Sequence, residues 1–433
     1  MPKAINFQRG LLSILFWSII SAAFIGPGTV TTASSAGAAF QLELLWALVF
    51  SIVATIVLQE AAARITIASG RNLGEIIAAR YSGRRNRRLK VLLFFAVAFG
   101  CAAYQAGNLL GALSGLALFT SMPTGWATLL LGVLCGSLLW FGNFRLIANA
   151  LGIVVALMGL IFLYVAAQSD LEGRLILEGL QPAMPAGSAL LVIGLIGTTI
   201  VPYNLFLASG ISQSQSMKEM RWGISLAILI GGIISVAIMI VGTSVSGTFS
   251  FEALAQALAI QLGSWSIAFF GLGLFAAGIS SSVTAPLAAA VTARSLFGAG
   301  EQEWNMRSRN FRLIWGAVLL TGLLFGLLGV QPIPAIILAQ AINGILLPIV
   351  AVFLILAVND RELIPEKYVN SAWSNTLMLL IVGVTCFLGF NNIWKAIGRI
   401  VPVVLDWWVA LPVMLGLAAV VVLLLALQVF RKT

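Results

Sequence analysis

The chain has 433 residues, of which 60% are hydrophobic and only 9% charged, against roughly 45–50% and about 25% in soluble domains. It carries 24 Lys and Arg against 14 Asp and Glu, a net charge of +10, and no histidine. A soluble globule, a histidine-based catalytic centre and an imidazole metal site are excluded at the outset.

Apolar stretches of about 20 residues recur along the chain, each long enough to cross a bilayer. Twelve spans are expected, at about 11–40, 44–69, 90–117, 123–141, 146–167, 187–212, 223–247, 264–293, 312–330, 333–358, 373–391 and 404–430. The first is too long and too glycine-interrupted for a secretory leader. It is broken by Gly26-Pro27-Gly28-Thr29. Span 2 carries Glu60 and Arg64 on one helical face, in the favoured order. Charge at membrane depth is costly unless paired, and with so local a partner the pair reads as structural. Span 3 offers Tyr104 and Asn108, with Gly107, Gly111 and Gly115 repeating every four residues as helix-packing positions. The external loop at about 168–186 is modest. Span 6 is interrupted near Thr198-Thr199-Ile200-Val201-Pro202-Tyr203, followed by Asn204. Span 8 carries Ser280, Ser281, Ser282 and Thr284; hydroxyls in membrane helices commonly bond their own backbone or a neighbouring helix. Span 10 carries Gln340 and Asn343, neighbours on a helix. Cys101, Cys135 and Cys386 fall within spans without metal-type spacing and are expected as free, buried thiols.

The basic residues fix an orientation. With Lys3 and Arg9 in the cytoplasm, only Arg174, Lys395 and Arg399 fall outside, and Arg64 lies within a span. The remaining basic residues are cytoplasmic, including the Arg84–Lys90 cluster, so both termini are placed inside the cell. That topology accounts for the net charge without nucleic acid. The expectation is a multi-pass protein of the inner (plasma) membrane, monomeric, with the lipid bilayer and a small-molecule or ion substrate as partners and no cofactor.

Spans 1–5 (about 11–167) and 6–10 (about 187–358) each begin with a broken span, and Pro27 and Pro202 occupy equivalent places in them. Five is odd, so the second block enters the membrane from the opposite side. Paired, Gly/Pro-interrupted spans in inverted repeats point to a secondary transporter of the LeuT type with a midplane substrate site. The expected fold is thus an all-α integral membrane protein forming a single domain over 1–433. It has 5+5 inverted-repeat helices with helices 1 and 6 unwound, and two extra helices at about 373–430. Broken backbone at membrane depth survives only where it is buried or lines a cavity. The candidate substrate-binding residues are therefore Gly26, Thr29, Thr198, Thr199, Val201, Tyr203 and Asn204 at the breaks. Tyr104, Asn108, Ser281, Gln340 and Asn343 complete the set from spans 3, 8 and 10.

The wording around the breaks resembles the Nramp family of divalent-metal transporters. Gly26-Pro27-Gly28-Thr29 stands where that family has Asp-Pro-Gly-Asn, and Val201-Pro202-Tyr203-Asn204-Leu205 where it has Met-Pro-His-Asn-Leu. Leu44-Leu45-Trp46 through Gln59 and Ala63-Arg64 is similar to its second helix, and Ala277–Thr284 to its eighth. Gln340, Leu347-Pro348 and Asn359-Asp360-Arg361 are similar to its tenth helix and the loop after it. The family's metal site uses the Asp and Asn of the first motif and the Met of the second; Gly26, Thr29 and Val201 replace them here. Tyr203 replaces the second-motif His, and Tyr104-Gln105-Ala106-Gly107-Asn108 stands where the family carries acidic residues on its proton route. The resemblance implies the fold and, through relatives with altered sites, magnesium transport without proton coupling.

The residues themselves leave two transporter readings open. No Asp or Glu lies in spans 1, 3, 6, 8 or 10. Soft metals want thiolate, thioether or imidazole, which disfavours an Mn- or Fe-selective site. Hard cations accept carbonyl, amide and water oxygens, so a partly hydrated, Mg-like ion fits. The same uncharged groups also fit a small neutral, zwitterionic or anionic organic solute. No nucleophile, phosphate loop or metal constellation suggests an enzyme, and no protein metal ligand is assigned.

Overall fold

A backbone in hydrocarbon must satisfy every N–H and C=O internally, which leaves the helix as the form for these spans. The computed structural model describes residues 25–81, 87–142, 145–170, 172–211, 216–298, 304–400 and 407–430, with no strand among them. In chain order the helices are α1 (Pro27–Phe40), α2 (Leu45–Ser69), α3 (Leu73–Arg80), α4 (Arg87–Ala117), α5 (Thr124–Phe141), α6 (Arg145–Ala167), α7 (Gly173–Gly179) and α8 (Ala189–Thr199). They continue as α9 (Pro202–Ile211), α10 (Met217–Thr243), α11 (Phe251–Leu262), α12 (Trp265–Phe297), α13 (Arg309–Leu327), α14 (Pro332–Val358), α15 (Ala372–Ile400) and α16 (Trp407–Phe430). Among the described residues, eleven segments are long and apolar enough to cross a bilayer, α8 and α9 together making one. The first half of expected span 1, up to residue 24, lies outside the described residues.

Three short helices replace expected loops. α3 starts on a capping box in which Asn72 and Glu75 bond each other's backbone N–H. α7 sits within the loop expected at about 168–186, and α11 is started by Ser250, which accepts from the Ala253 N–H. Two spans also differ in length. α10 begins six residues before its expected start, because Ser216 and Glu219 form a second capping box. α15 runs to Ile400, so Lys395 and Arg399, expected in an external loop, lie in its last turns.

The core lies between the two repeats, where α4 packs most extensively against α12 and α14 packs against α8 and α4. Lipid tails give helices no hydrophobic reason to associate, so contact surfaces favour residues small enough for backbones to meet. At Gly115 a Cβ would stand 2.5 Å from the Phe275 amide and 2.6 Å from the Gly271 carbonyl. The three glycines of span 3 are thus packing positions, Gly111 against Pro27 and Gly107 against Ile336 and Ala339. Outward faces are apolar, with Val133 70% and Leu423 59% exposed on α5 and α16. Cys101, Cys135 and Cys386 are free and buried.

One end of the bundle carries most of the arginines and is tied by polar contacts. Glu60 accepts from Arg64 at 3.1 Å and from Arg221 of α10 at 2.8 Å. Arg64, 6% exposed, also donates to the Tyr368 carbonyl and to Asn370 at 2.6 Å. Asn370 leads on to Asn375 and Asn359. Arg80 of α3 pairs with Asp360 and donates to the Leu356 carbonyl at the end of α14. The Glu60–Arg64 pair is therefore part of a structural clamp, with a cross-helix partner in Arg221 that sequence spacing does not show.

Candidate substrate site

Both breaks are built by proline. Gly26 is extended (φ −92°, ψ 175°) and Pro27 occupies the first turn of α1, where its missing N–H costs nothing. Pro27, Gly28 and Thr29 are therefore helical, and of the four-residue motif only Gly26 is not. In the second repeat α8 ends at Thr199, Ile200 turns the chain (φ −93°, ψ 80°), and α9 restarts at Pro202. The gap is only Ile200–Val201, narrower than the expected 198–203. Pro202 has no N–H, so the Thr198 carbonyl has no helical partner. The Gly197 carbonyl accepts instead from the Tyr104 hydroxyl of α4.

The breaks meet. The Thr29 and Thr198 hydroxyls are hydrogen-bonded at 3.1 Å, joining the first turn of α1 to the last turn of α8. Ser281 of α12 closes on the first break: a Cβ built on Gly26 would stand 3.4 Å from its Oγ. Gln340 of α14 reaches between α1 and α8. A Cβ on Gly28 would stand 2.5 Å from its Cδ and 2.9 Å from its Oε1, while its main chain runs directly against Gly197. Both side-chain amide atoms of Gln340 are buried without a protein partner. Tyr104 and Tyr203 pack edge to face, centroids 5.5 Å apart. Val201 presents a buried isopropyl group at the second break. All of these side chains are enclosed, none more than 7% exposed.

Asn343 and Thr199, also candidates, have their side-chain polar groups engaged elsewhere. Asn343 donates to the Gly100 and Ala339 carbonyls, at 3.1 and 3.0 Å, and serves the α4–α14 contact. Thr199 bonds back to the Leu195 carbonyl, and Thr284 to that of Ser280. Asn204 is buried in the first turn of α9, where its N–H donates to the Val201 carbonyl at 3.0 Å. Asn108 is buried with its Nδ2 unpartnered. Gln105 and Ser282, outside the candidate set, are also buried with unpartnered side-chain polar atoms. Their signal was an uncharged polar residue in an apolar span, too common to single them out. Among the described residues no three His, Cys, Asp or Glu side chains gather as metal ligands. The site is a neutral lining of hydroxyl, amide and backbone oxygens.

The family description "Natural resistance-associated macrophage protein-like" matches residues 18–395. The chain belongs to the Nramp family. Relatives named divalent metal cation transporter MntH include one from Verminephrobacter eiseniae, 26% identical with 87% of each chain covered. Another, from a Nostoc species, is 28% identical, covering 91% of this chain and 94% of its own. Among solved structures, a mutant of the Eremococcus coleocola manganese transporter superposes with a TM-score of 0.74 at 20% identity, covering 100% of this chain and 96% of that one. A nucleobase-cation-symport-1 family transporter superposes with a TM-score of 0.55 at 15% identity, covering 96% and 92%. These likenesses carry the fold, and this Nramp chain is a multi-pass membrane transporter of LeuT type, not an enzyme.

Proposed function

We propose that this Nramp chain moves a divalent cation by alternating access, taking a hard, partly hydrated ion such as Mg2+ with relaxed selectivity and no proton coupling through the site. The carrying observation is the chemistry of the two joined breaks: Thr29, Thr198, Ser281, Gln340 and the Thr198 carbonyl supply only neutral oxygens. Magnesium dehydrates reluctantly and keeps several waters, so such oxygens suit it. Val201 supplies no thioether to favour Mn2+ or Fe2+. The relatives' names, divalent metal cation transporter, support the cation. No carboxylate or histidine lies in α1, α4, α8, α9, α12 or α14 to relay protons. The protein acts as a monomer in the plasma membrane with its arginine-rich end and both termini in the cytoplasm.

The test is uptake into proteoliposomes loaded with a Mg2+-sensitive dye and, in parallel, a pH-sensitive dye. Mg2+ entry without acidification, inhibited by Mn2+ only at millimolar concentration, is the expected result. Submillimolar Mn2+ binding by calorimetry that Thr29→Ala abolishes would overturn the selectivity. Proton flux lost on mutating α1, α4, α8 or α9 would overturn the uncoupled reading. One observation favours a second substrate class: α1 and α9 both begin at the site, and helix N-termini attract negative charge. Uptake of an amino acid or small acid with no cation flux would select that organic-solute reading.

A further inference from the structure

At the arginine-rich end, on the outside of the bundle, the C-terminus of α5 and the N-terminus of α13 enclose a cleft of about 570 Å³. Arg307, Arg309 and Arg312 line its mouth, together with Trp140. The Arg312 guanidinium stacks on the Trp140 ring, 3.8 Å from its centroid. This fixes a planar group that would otherwise be free on a flexible stem. Below them Leu313, Ala317 and Leu320 line the wall, and Gly316 opens its floor, since a Cβ there would touch nothing within 4 Å.

The charge is placed against the local field. Arg309 and Arg312 stand in the first turn of a 19-residue helix, where the dipole is already positive and acidic residues are favoured. Among the described residues none of the three arginines pairs with a carboxylate. An anion seated here meets three guanidiniums and a helix N-terminus together. Orientation in the membrane needs basic residues at this end, but not a stacked arginine over an apolar furrow. We propose that this cleft binds one anionic phospholipid, its phosphate held by Arg307, Arg309 and Arg312 and an acyl chain lying along Leu313, Gly316 and Leu320. The apolar wall below the charges decides for a lipid over a free phosphate.

Native mass spectrometry of the purified full chain, titrated in micelles with phosphatidylglycerol or phosphatidylcholine, reads the site directly. Phosphatidylglycerol should be retained in preference to phosphatidylcholine, and millimolar inorganic phosphate should not displace it. Arg309→Gln with Arg312→Gln should weaken phosphatidylglycerol binding roughly thirtyfold. Arg71→Gln with Lys90→Gln removes the same charge from the same end and should change it little. Trp140→Ala keeps every charge and should still weaken binding, which covers the case of a double arginine variant that does not fold. Equal retention of the two lipids, equal loss in the two double variants, displacement by phosphate, or full binding by Trp140→Ala would each overturn the assignment.

Discussion

Gly28 is where a single methyl group tests whether Gln340 belongs to the transport site. In Gly28→Ala the new Cβ would stand 2.5 Å from Cδ and 2.9 Å from Oε1 of Gln340, closer than real Cβ atoms approach. The obstacle is the far end of a flexible side chain, so Gln340 yields by leaving its rotamer, at about 0.5–1.5 kcal/mol. If its amide bonds the substrate or the ion's water, the displaced group forfeits about 0.5–1.5 kcal/mol of binding, roughly two- to tenfold in apparent affinity. Gly197→Ala is the contrast: its Cβ would meet main chain, with the Gly344 amide at 2.6 Å. Main chain cannot swing aside, so about 3 kcal/mol or more of stability is lost. Proteoliposome uptake gives the apparent affinity and thermal unfolding in detergent gives the stability. Gly28→Ala should weaken the apparent affinity and barely move the unfolding temperature; Gly197→Ala should lower the unfolding temperature. The double variant Gly28→Ala with Gln340→Ala should be no worse than Gln340→Ala alone, because both changes remove the same amide. Unchanged affinity in Gly28→Ala, or additive losses in the double variant, would refute the reasoning.

Three further outcomes are expected. Tyr104→Phe leaves the Gly197 carbonyl buried and unpaired, and should cost about 1–3 kcal/mol, read as a lower unfolding temperature; an unchanged unfolding temperature would show that the carbonyl finds another donor. Glu60→Gln should cost about 3 kcal/mol by stranding the buried Arg64, whereas Arg221→Gln, whose side chain is 56% exposed, should cost about 1 kcal/mol or less; neither should change substrate affinity, and proton flux lost only in Glu60→Gln would make that residue a coupling site. Thr29→Val combined with Thr198→Val removes both partners of one hydrogen bond, which is nearly neutral for folding, yet should abolish Mg2+ uptake; retained uptake would place the ion elsewhere.

The spans and their breaks were legible because a bilayer enforces length and apolarity, while glycine and proline mark where the ladder of hydrogen bonds must stop. α3 was missed although Asn72 and Glu75 spell a capping box, because eight residues next to an arginine cluster read as loop. The site was only half legible. Gln340 and Asn343 are the same kind of residue on the same stretch of α14, yet one amide is unpartnered and the other is held by two carbonyls. That difference depends on where α4 lies across the interface, which periodicity cannot report. Tyr104 stands among the sequence candidates for substrate, and its bond to a carbonyl released by the second break gives it a structural task that spacing alone does not show.

The shortness of the second break has a mechanical consequence. α9 is ten residues long, so it is a rod of about 15 Å pivoting on two residues. A swing of about 20° about that joint carries its far end about 5 Å. That far end is not loose. Ser209 accepts from the Leu73 N–H at 3.1 Å, and α3 is pinned in turn to the end of α14 through Arg80 and Asp360. Any tilt of α9 about Ile200–Val201 would therefore pull on α3 and, through Arg80, on the end of α14.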